Sequence, residues 1–421
     1  MKSKITLVFV SALFMITAFN ACSQKKEKKT EKIFYNAKDY SISFNVKAKD
    51  EIRDSLIVAY LDSSSYRFTV IPSAKRKKYF EIKIDSVANY DAAWMQGFHF
   101  SRIFKFKDFR IFRNDREVKD KYRNFYFVGD YLGRAALYEF DFFTLKTNLV
   151  WSRWGKPILN LFRQKETGNI YFTVAQKLSR SGGFPSIRRA QLFFFDAEKL
   201  TVKRIAYYGN GMQLKAGWVS PNLFNAQFLS LDSLTNVDVI KRVYDYDAEG
   251  NSLDTLTERI DLMSVSFTEK KPELKFESTE KKIMINFREK EDTVVTSVVD
   301  FGKGIKTDVF KFLGKVASTK WSDNGNYFLT SAIDTAKAFA DSLKKREVDL
   351  FVVNLRNHKL LKRISGDIDE YMLQGDILIY DQWIEGVKAV SFYDLMKNEK
   401  IVTLRFEGGC GINSILNLNN L

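Results

Sequence analysis

Leu137-Tyr138-Glu139-Phe140-Asp141, followed by a second apolar run over residues 144–150, is the stretch that decides the fold. An apolar run ends in a carboxylate, a short polar turn follows, and another run begins. That order describes a β-hairpin, because an Asp or Asn side chain bonds the turn backbone and tolerates its unusual torsions. The unit returns as Leu192-Phe193-Phe194-Phe195-Asp196, Val243-Tyr244-Asp245-Tyr246-Asp247 and Ser297-Val298-Val299-Asp300. It returns again as Leu350-Phe351-Val352-Val353-Asn354 and Val390-Ser391-Phe392-Tyr393-Asp394. Counted from Asp141, the closing residues fall 55, 51, 53, 54 and 40 positions apart. A near-fixed period in this range predicts a repeat architecture. Each period leaves room for two more strands upstream, visible around Glu166-Thr167-Gly168-Asn169 and Asp323-Asn324-Gly325-Asn326. Four strands per repeat is the build of a propeller blade, and radial repetition keeps sheet edges short and protected.

The fold predicted is therefore all-β, a β-propeller over residues 91–421 with six blades. Seven blades is the alternative. It comes from Leu56-Ile57-Val58-Ala59-Tyr60-Leu61-Asp62, read as a strand with residues 66–71 returning. Residues 34–90 are then extra N-terminal strands or a diverged blade. Two insertions interrupt the period. Residues 178–189 read as a Gly/Ser/Pro/Arg loop, and residues 333–346 as a short helix or extended hairpin.

The segment Thr319-Lys320-Trp321-Ser322-Asp323-Asn324-Gly325-Asn326-Tyr327-Phe328-Leu329 resembles the repeat of TolB-like propellers, in which Trp-Ser-Pro-Asp-Gly opens an inner hairpin. Pro is missing here. Trp218-Val219-Ser220-Pro221-Asn222 is a fainter copy. The resemblance implies a fold and no single activity, since propellers host binding, scaffolding and catalysis alike.

The N-terminus says where such a body is held. Lys2 and Lys4 precede an apolar run over residues 5–19, short for a bilayer span and right for a signal-peptide core. Phe19-Asn20-Ala21-Cys22 follows, then the polar Ser23-Gln24-Lys25-Lys26-Glu27-Lys28-Lys29. A small residue before a lone Cys resembles the lipobox of bacterial lipoproteins, with Phe19 standing where Leu is usual. The resemblance implies a signal peptide over residues 1–21 and lipidation of Cys22. Residues 22–33 are then a flexible, Lys-rich tether. The expected location is the cell envelope, as an outer-membrane lipoprotein on either face. The lipid ties the chain to the membrane.

Composition narrows the function. The formal charge is +16, which favours anionic partners, and export argues against nucleic acid. Cys410, in Gly408-Gly409-Cys410-Gly411, is the one thiol left beyond Cys22. It reads as a small residue in a tight turn or terminal strand. The two His residues, His99 and His358, are far apart, so neither a zinc set nor a Ser-His-Asp triad is legible. His99 reads as a packed or hydrogen-bonded strand residue and His358 as an exposed turn residue. Asp245-Tyr246-Asp247-Ala248-Glu249-Gly250 begins like a calcium loop but has Leu256 at its twelfth position. No cofactor or metal is expected.

Residues 98–113 alternate Phe with Arg or Lys over part of their length, as a half-buried strand would. The candidate binding residues are Trp151, Arg153 and Trp154 in one turn, and Arg180, Arg188 and Arg189 in the first insertion. Aromatic planes stack on sugars, and Arg clamps carboxylate or phosphate at two points. The resulting reading is a lipid-anchored envelope protein whose propeller binds a protein, peptide or acidic glycan without catalysis. The alternatives are a propeller hydrolase or lyase acting on envelope or extracellular polymers, and a structural subunit of an outer-membrane complex.

Overall fold

The computed structural model describes residues 40–47, 51–63, 67–72, 79–106, 108–118, 120, 122–153, 158–164, 167–181, 184–232, 238–261, 278–279, 282–290, 293–300, 304–322, 325–334 and 348–414. The chain divides into two compact units, one of Met1–Ala93 with Ile111–Glu117, the other of Trp94–Arg110 with Val118–Leu421.

The first unit is built on a five-stranded sheet. Its order is Arg67–Pro72, Tyr79–Val87, Tyr40–Lys47, Arg110–Arg113 and Arg116–Val118. Ile42, Phe44, Val46, Ile82 and Ile84 are buried. The run expected as a seventh hairpin is instead part of helix α1, Glu51–Ser63. Ile57 and Leu61 are buried four residues apart, while Leu56 and Tyr60 are exposed, and that spacing is helical.

The second unit carries six successive four-stranded antiparallel sheets, and this is the six-bladed propeller expected. Blade 1 runs, from its inner strand outward, Cys410–Gly411, Asn124–Tyr131, Arg134–Asp141 and Lys146–Arg153. Blade 2 is Ile158–Arg163, Ile170–Val174, Phe184–Asp196 and Thr201–Gly211. Blade 3 is Gln213–Ser220, Leu223–Leu231, Asp238–Tyr246 and Ser252–Asp261. Blades 4 and 5 share one long strand, Ile305–Trp321, which pairs with Thr293–Asp300 up to Leu313 and with Tyr327–Asp334 from Gly314. Ser278–Thr279 and Lys282–Lys290 complete blade 4, Val348–Asn354 and Lys359–Ile364 blade 5. Blade 6 is Ile368–Gln374, Ile377–Ile384, Val387–Asp394 and Glu399–Leu404.

The core lies between sheets. Trp151, Phe172 and Phe193 pack blade 1 on blade 2, and Tyr171 stacks on Phe224 at 4.0 Å between blades 2 and 3. Phe140 stacks on Phe392 at 4.6 Å between blades 1 and 6. The last strand, Cys410–Gly411, pairs with Val128 and Gly129 of the first sheet, so the C-terminal residues close the ring.

The repeated residues occupy one place. Asp141, Asp196, Asp300, Asn354 and Asp394 each end the third strand of a blade, and Asp247 directly follows the third strand of blade 3. Asp141 Oδ1 accepts from the Phe143 and Thr144 amides at 2.7 and 3.1 Å. Asp196 and Asp394 accept from the amides two and three residues on, each at 3.0 Å. Asp247 accepts from the Glu249 and Asn251 amides, which satisfies it within the hairpin. Four residues after four of these positions, Leu145, Leu200, His358 and Asn398 have φ between 53° and 55°.

Two further expectations are corrected. Residues 98–104, with His99, belong to helix α2, Tyr90–Phe104, and only Arg110–Arg113 of the Phe/cation tract is a strand. The insertion at 178–189 is a hairpin of Lys177–Ser181 against Phe184–Asp196 and not a loop. Of the second insertion, at 333–346, the first two residues end the strand Tyr327–Asp334 and the rest lie outside the described residues.

Candidate functional site

Strands alternate in direction within every blade. The turns after the repeated Asp and Asn residues therefore gather at one end, and the connections from blade to blade gather at the other. In blade 2, Ile158, Val174 and Gln191 stand level in the register. The entry from blade 1 and the inserted hairpin thus leave the sheet at the same end.

That end carries the basic residues named from the sequence. Arg153 ends the outer strand of blade 1 and is exposed, its guanidinium 5.9 Å over the Phe193 ring. Trp151 is partly buried between blades 1 and 2. Arg188 and Arg189 are exposed on the hairpin, and Lys177 stands opposite Arg188. Like charges opposite one another on a sheet repel. Some exposed Arg residues elsewhere have carboxylate partners, as in Arg259–Asp232 at 2.7 Å and Arg405–Glu385 at 2.9 Å. Among the described residues, Arg188 and Arg189 have none. Arg189 also sits at φ 50°, a conformation unusual for a non-Gly residue. Arg180 is placed by its backbone, opposite Pro185. Cys22 and Trp154 lie outside the described residues.

A second charged group, at the ring closure, escaped the sequence reading. Lys388 is 2% exposed and lies 2.8 Å from Asp369 Oδ2 and 3.1 Å from Asp381 Oδ2. Its Nζ also donates to the Ser414 carbonyl at 2.8 Å. Burial alone would depress the ammonium, but Asp381 and Asp369 more than offset that and raise it. Burial pushes the Asp381 carboxyl up to about 7 against the pull of Lys388. Asp381 Oδ1 accepts from the Ile412 amide at 2.8 Å. Arg163 donates to the Tyr126 carbonyl at 2.6 Å, to the Ile412 carbonyl, and to Asn413 Oδ1 at 3.0 Å. Burial brings its guanidinium down to about 10, so it stays charged near neutral pH. Asn413 Nδ2 in turn donates to Glu370 at 3.1 Å. The signal was present as single charged residues in apolar strands, Ile377-Leu378-Ile379-Tyr380-Asp381 and Val387-Lys388-Ala389-Val390.

At the opposite end, His99 Nε2 lies 2.5 Å from the buried Asp394 carboxylate. Arg102, on the same helix, meets Glu399 at 3.4 Å. Helix α2 thus docks on the last turn of blade 6, and both histidines serve turns: His99 binds one and His358 stands in another. Among the described residues no group of three or more His, Cys, Asp or Glu is placed to hold a metal ion.

No family model matches this chain, and no curated protein matches its sequence. Among solved structures it is similar to TolB from Acinetobacter baumannii, at 11% identity over 85% of this chain and 84% of that one, with a TM-score of 0.39. It is also similar to the nidogen/laminin complex, at 10% identity over 68% and 97%, TM-score 0.34. AtxE2 isopeptidase, in its apo form, gives 8% identity over 63% and 46%, TM-score 0.39. Likeness at this level carries no argument about function. The fold rests on the six sheets themselves.

Proposed function

We propose that this chain is a lipid-anchored protein of the cell envelope. Its propeller binds an acidic protein, peptide or glycan, without catalysis, at the end where the basic hairpin of blade 2 emerges. The supporting observation is that Arg188 and Arg189 are exposed with no carboxylate partner among the described residues, with Lys177 opposite Arg188. A cationic cluster left unneutralised on a rigid sheet is preorganised for an anion, and Arg grips carboxylates in two-point contact. The test replaces Arg180, Arg188 and Arg189 with Ser. Capture on beads bearing poly-glutamate or polygalacturonate is expected to fall several-fold, most at low salt, where screening is weakest. Equal capture by the wild type and the triple variant refutes the basic-hairpin reading.

The anchor is tested separately. Cys22→Ser is expected to release the mature protein from envelope membranes into the soluble fraction, because acyl chains supply the attachment. Retention on the membrane after a salt wash would show that something other than lipid holds it.

A further inference from the structure

The strand that closes the ring, Cys410–Gly411, has two residues. The second strand of blade 1, Asn124–Tyr131, has eight residues, but its inner edge is paired by backbone only from Val128 to Asp130, whose amide donates to the Gly409 carbonyl at 3.0 Å. Side chains hold the rest of the segment. Arg163 reaches the Tyr126 carbonyl on that open edge and the Ile412 carbonyl together, standing where a strand ladder would otherwise run. Asp381 takes the Ile412 amide, Lys388 takes the Ser414 carbonyl, and Ser414 Oγ donates to the Ile158 carbonyl at 3.2 Å.

The slot also selects its occupant by shape. A Cβ on Gly411 would stand 2.2 Å from the Ser414 carbonyl oxygen, a clash no side chain survives. Gly409 has φ 91°, which L side chains rarely adopt. Cys410 is fully buried and donates to the Leu404 carbonyl at 3.1 Å. Backbone groups gripped by fixed side chains, in a slot shaped for Gly-Gly-Cys-Gly, are how a protein holds a bound peptide. Segments held by few ladder hydrogen bonds open at lower free energy than the sheets around them.

We infer that residues 408–414 form a detachable latch: the chain fills a peptide slot on blade 1 with its own C-terminal segment, and the slot opens while the other sheets stay folded. Opening would bare the inner edge of Asn124–Tyr131 for another extended strand.

Cys410 reports the opening directly, since its thiol is shielded and raised to about 12 by burial in the closed state. The experiment uses the full chain with Cys22→Ser, so that Cys410 is its one thiol and the result is independent of lipidation. Labelling by a disulfide reagent is followed across sub-denaturing urea, beside global unfolding by circular dichroism. A latch predicts labelling whose rate hardly changes with urea well below the unfolding transition. Gly411→Ala and Lys388→Met should each raise that rate about tenfold or more while the circular dichroism spectrum is retained. A labelling rate that tracks global unfolding, with the same urea dependence, overturns the inference. The wild-type measurement decides the matter even if either variant fails to fold.

Discussion

Asp394 is fully buried, and its carboxylate makes three contacts: the Met396 and Lys397 amides at 3.0 Å and His99 Nε2 at 2.5 Å. Burial alone would raise its pKa, but the His99 hydrogen bond and charge, with the Lys397 amide, more than offset that and lower it. A carboxyl lowered in the folded state contributes stability that is full above its unfolded pKa and is lost as pH falls through the folded one. Asp196, held chiefly by the Lys199 amide, is lowered too. The part of the stability these two groups supply is therefore expected to be lost progressively as pH falls from the usual carboxylate range down through their lower folded values. Asp394→Asn should flatten that acid limb in urea midpoints measured against pH. An unchanged limb would mean that other carboxylates set it. The left-handed residues beside these turns give a second expectation. Leu200 is 60% exposed at φ 53°, so Leu200→Gly gives up little burial and relieves a strain of about 1 kcal/mol. A rise in melting temperature is the expected reading.

At the scale of elements, helix α2 shows what hydrogen bonds and rings do together. Trp94 is fully buried, stacks on Phe98 at 5.1 Å, meets Phe142 and Phe143 edge-on, and donates its indole N–H to Asp120 at 2.9 Å. Trp94→Ala should cost about 3–5 kcal/mol by urea unfolding, the range for emptying a large aromatic site. Trp94→Phe should cost less, since most of the packing survives. This helix was hidden in the sequence because Phe98, Phe100 and Phe104 fall on even spacings that imitate a strand. Its helical period needs Trp94 and Phe98 counted together, four apart. Helix α1 was hidden likewise, its β-branched Ile57 and Val58 favouring a strand until burial at Ile57 and Leu61 decides otherwise. The hairpins were legible because their closing carboxylates act locally, through amides two or three residues on. The charged latch was not, since Arg163, Lys388 and Ser414 meet only after the ring has closed.

For the whole molecule, aromatic contacts join blade 1 to 2, 2 to 3, 4 to 5 and 6 to 1, so much of the stability resides in neighbouring pairs of sheets. The seam between the first and last blades is the place to measure this. Phe140 and Phe392 stack across it, and Phe125 meets Phe392 edge-on at 5.5 Å. A double-mutant cycle with Phe140→Leu and Phe392→Leu should give a coupling of about 0.5–1.5 kcal/mol. Strict additivity would mean that the seam is held elsewhere. Blades 4 and 5 are a different case, because the strand Ile305–Trp321 belongs to both. Side chains alternate along a strand, so one inserted residue would turn every later side chain to the wrong face in the next sheet as well. Between blades 5 and 6, by contrast, residues 365–367 form a connector in which a change of length can be absorbed. Between blades 4 and 5 there is none, and lineages that gain, lose or exchange blades should transmit this pair as one heritable block.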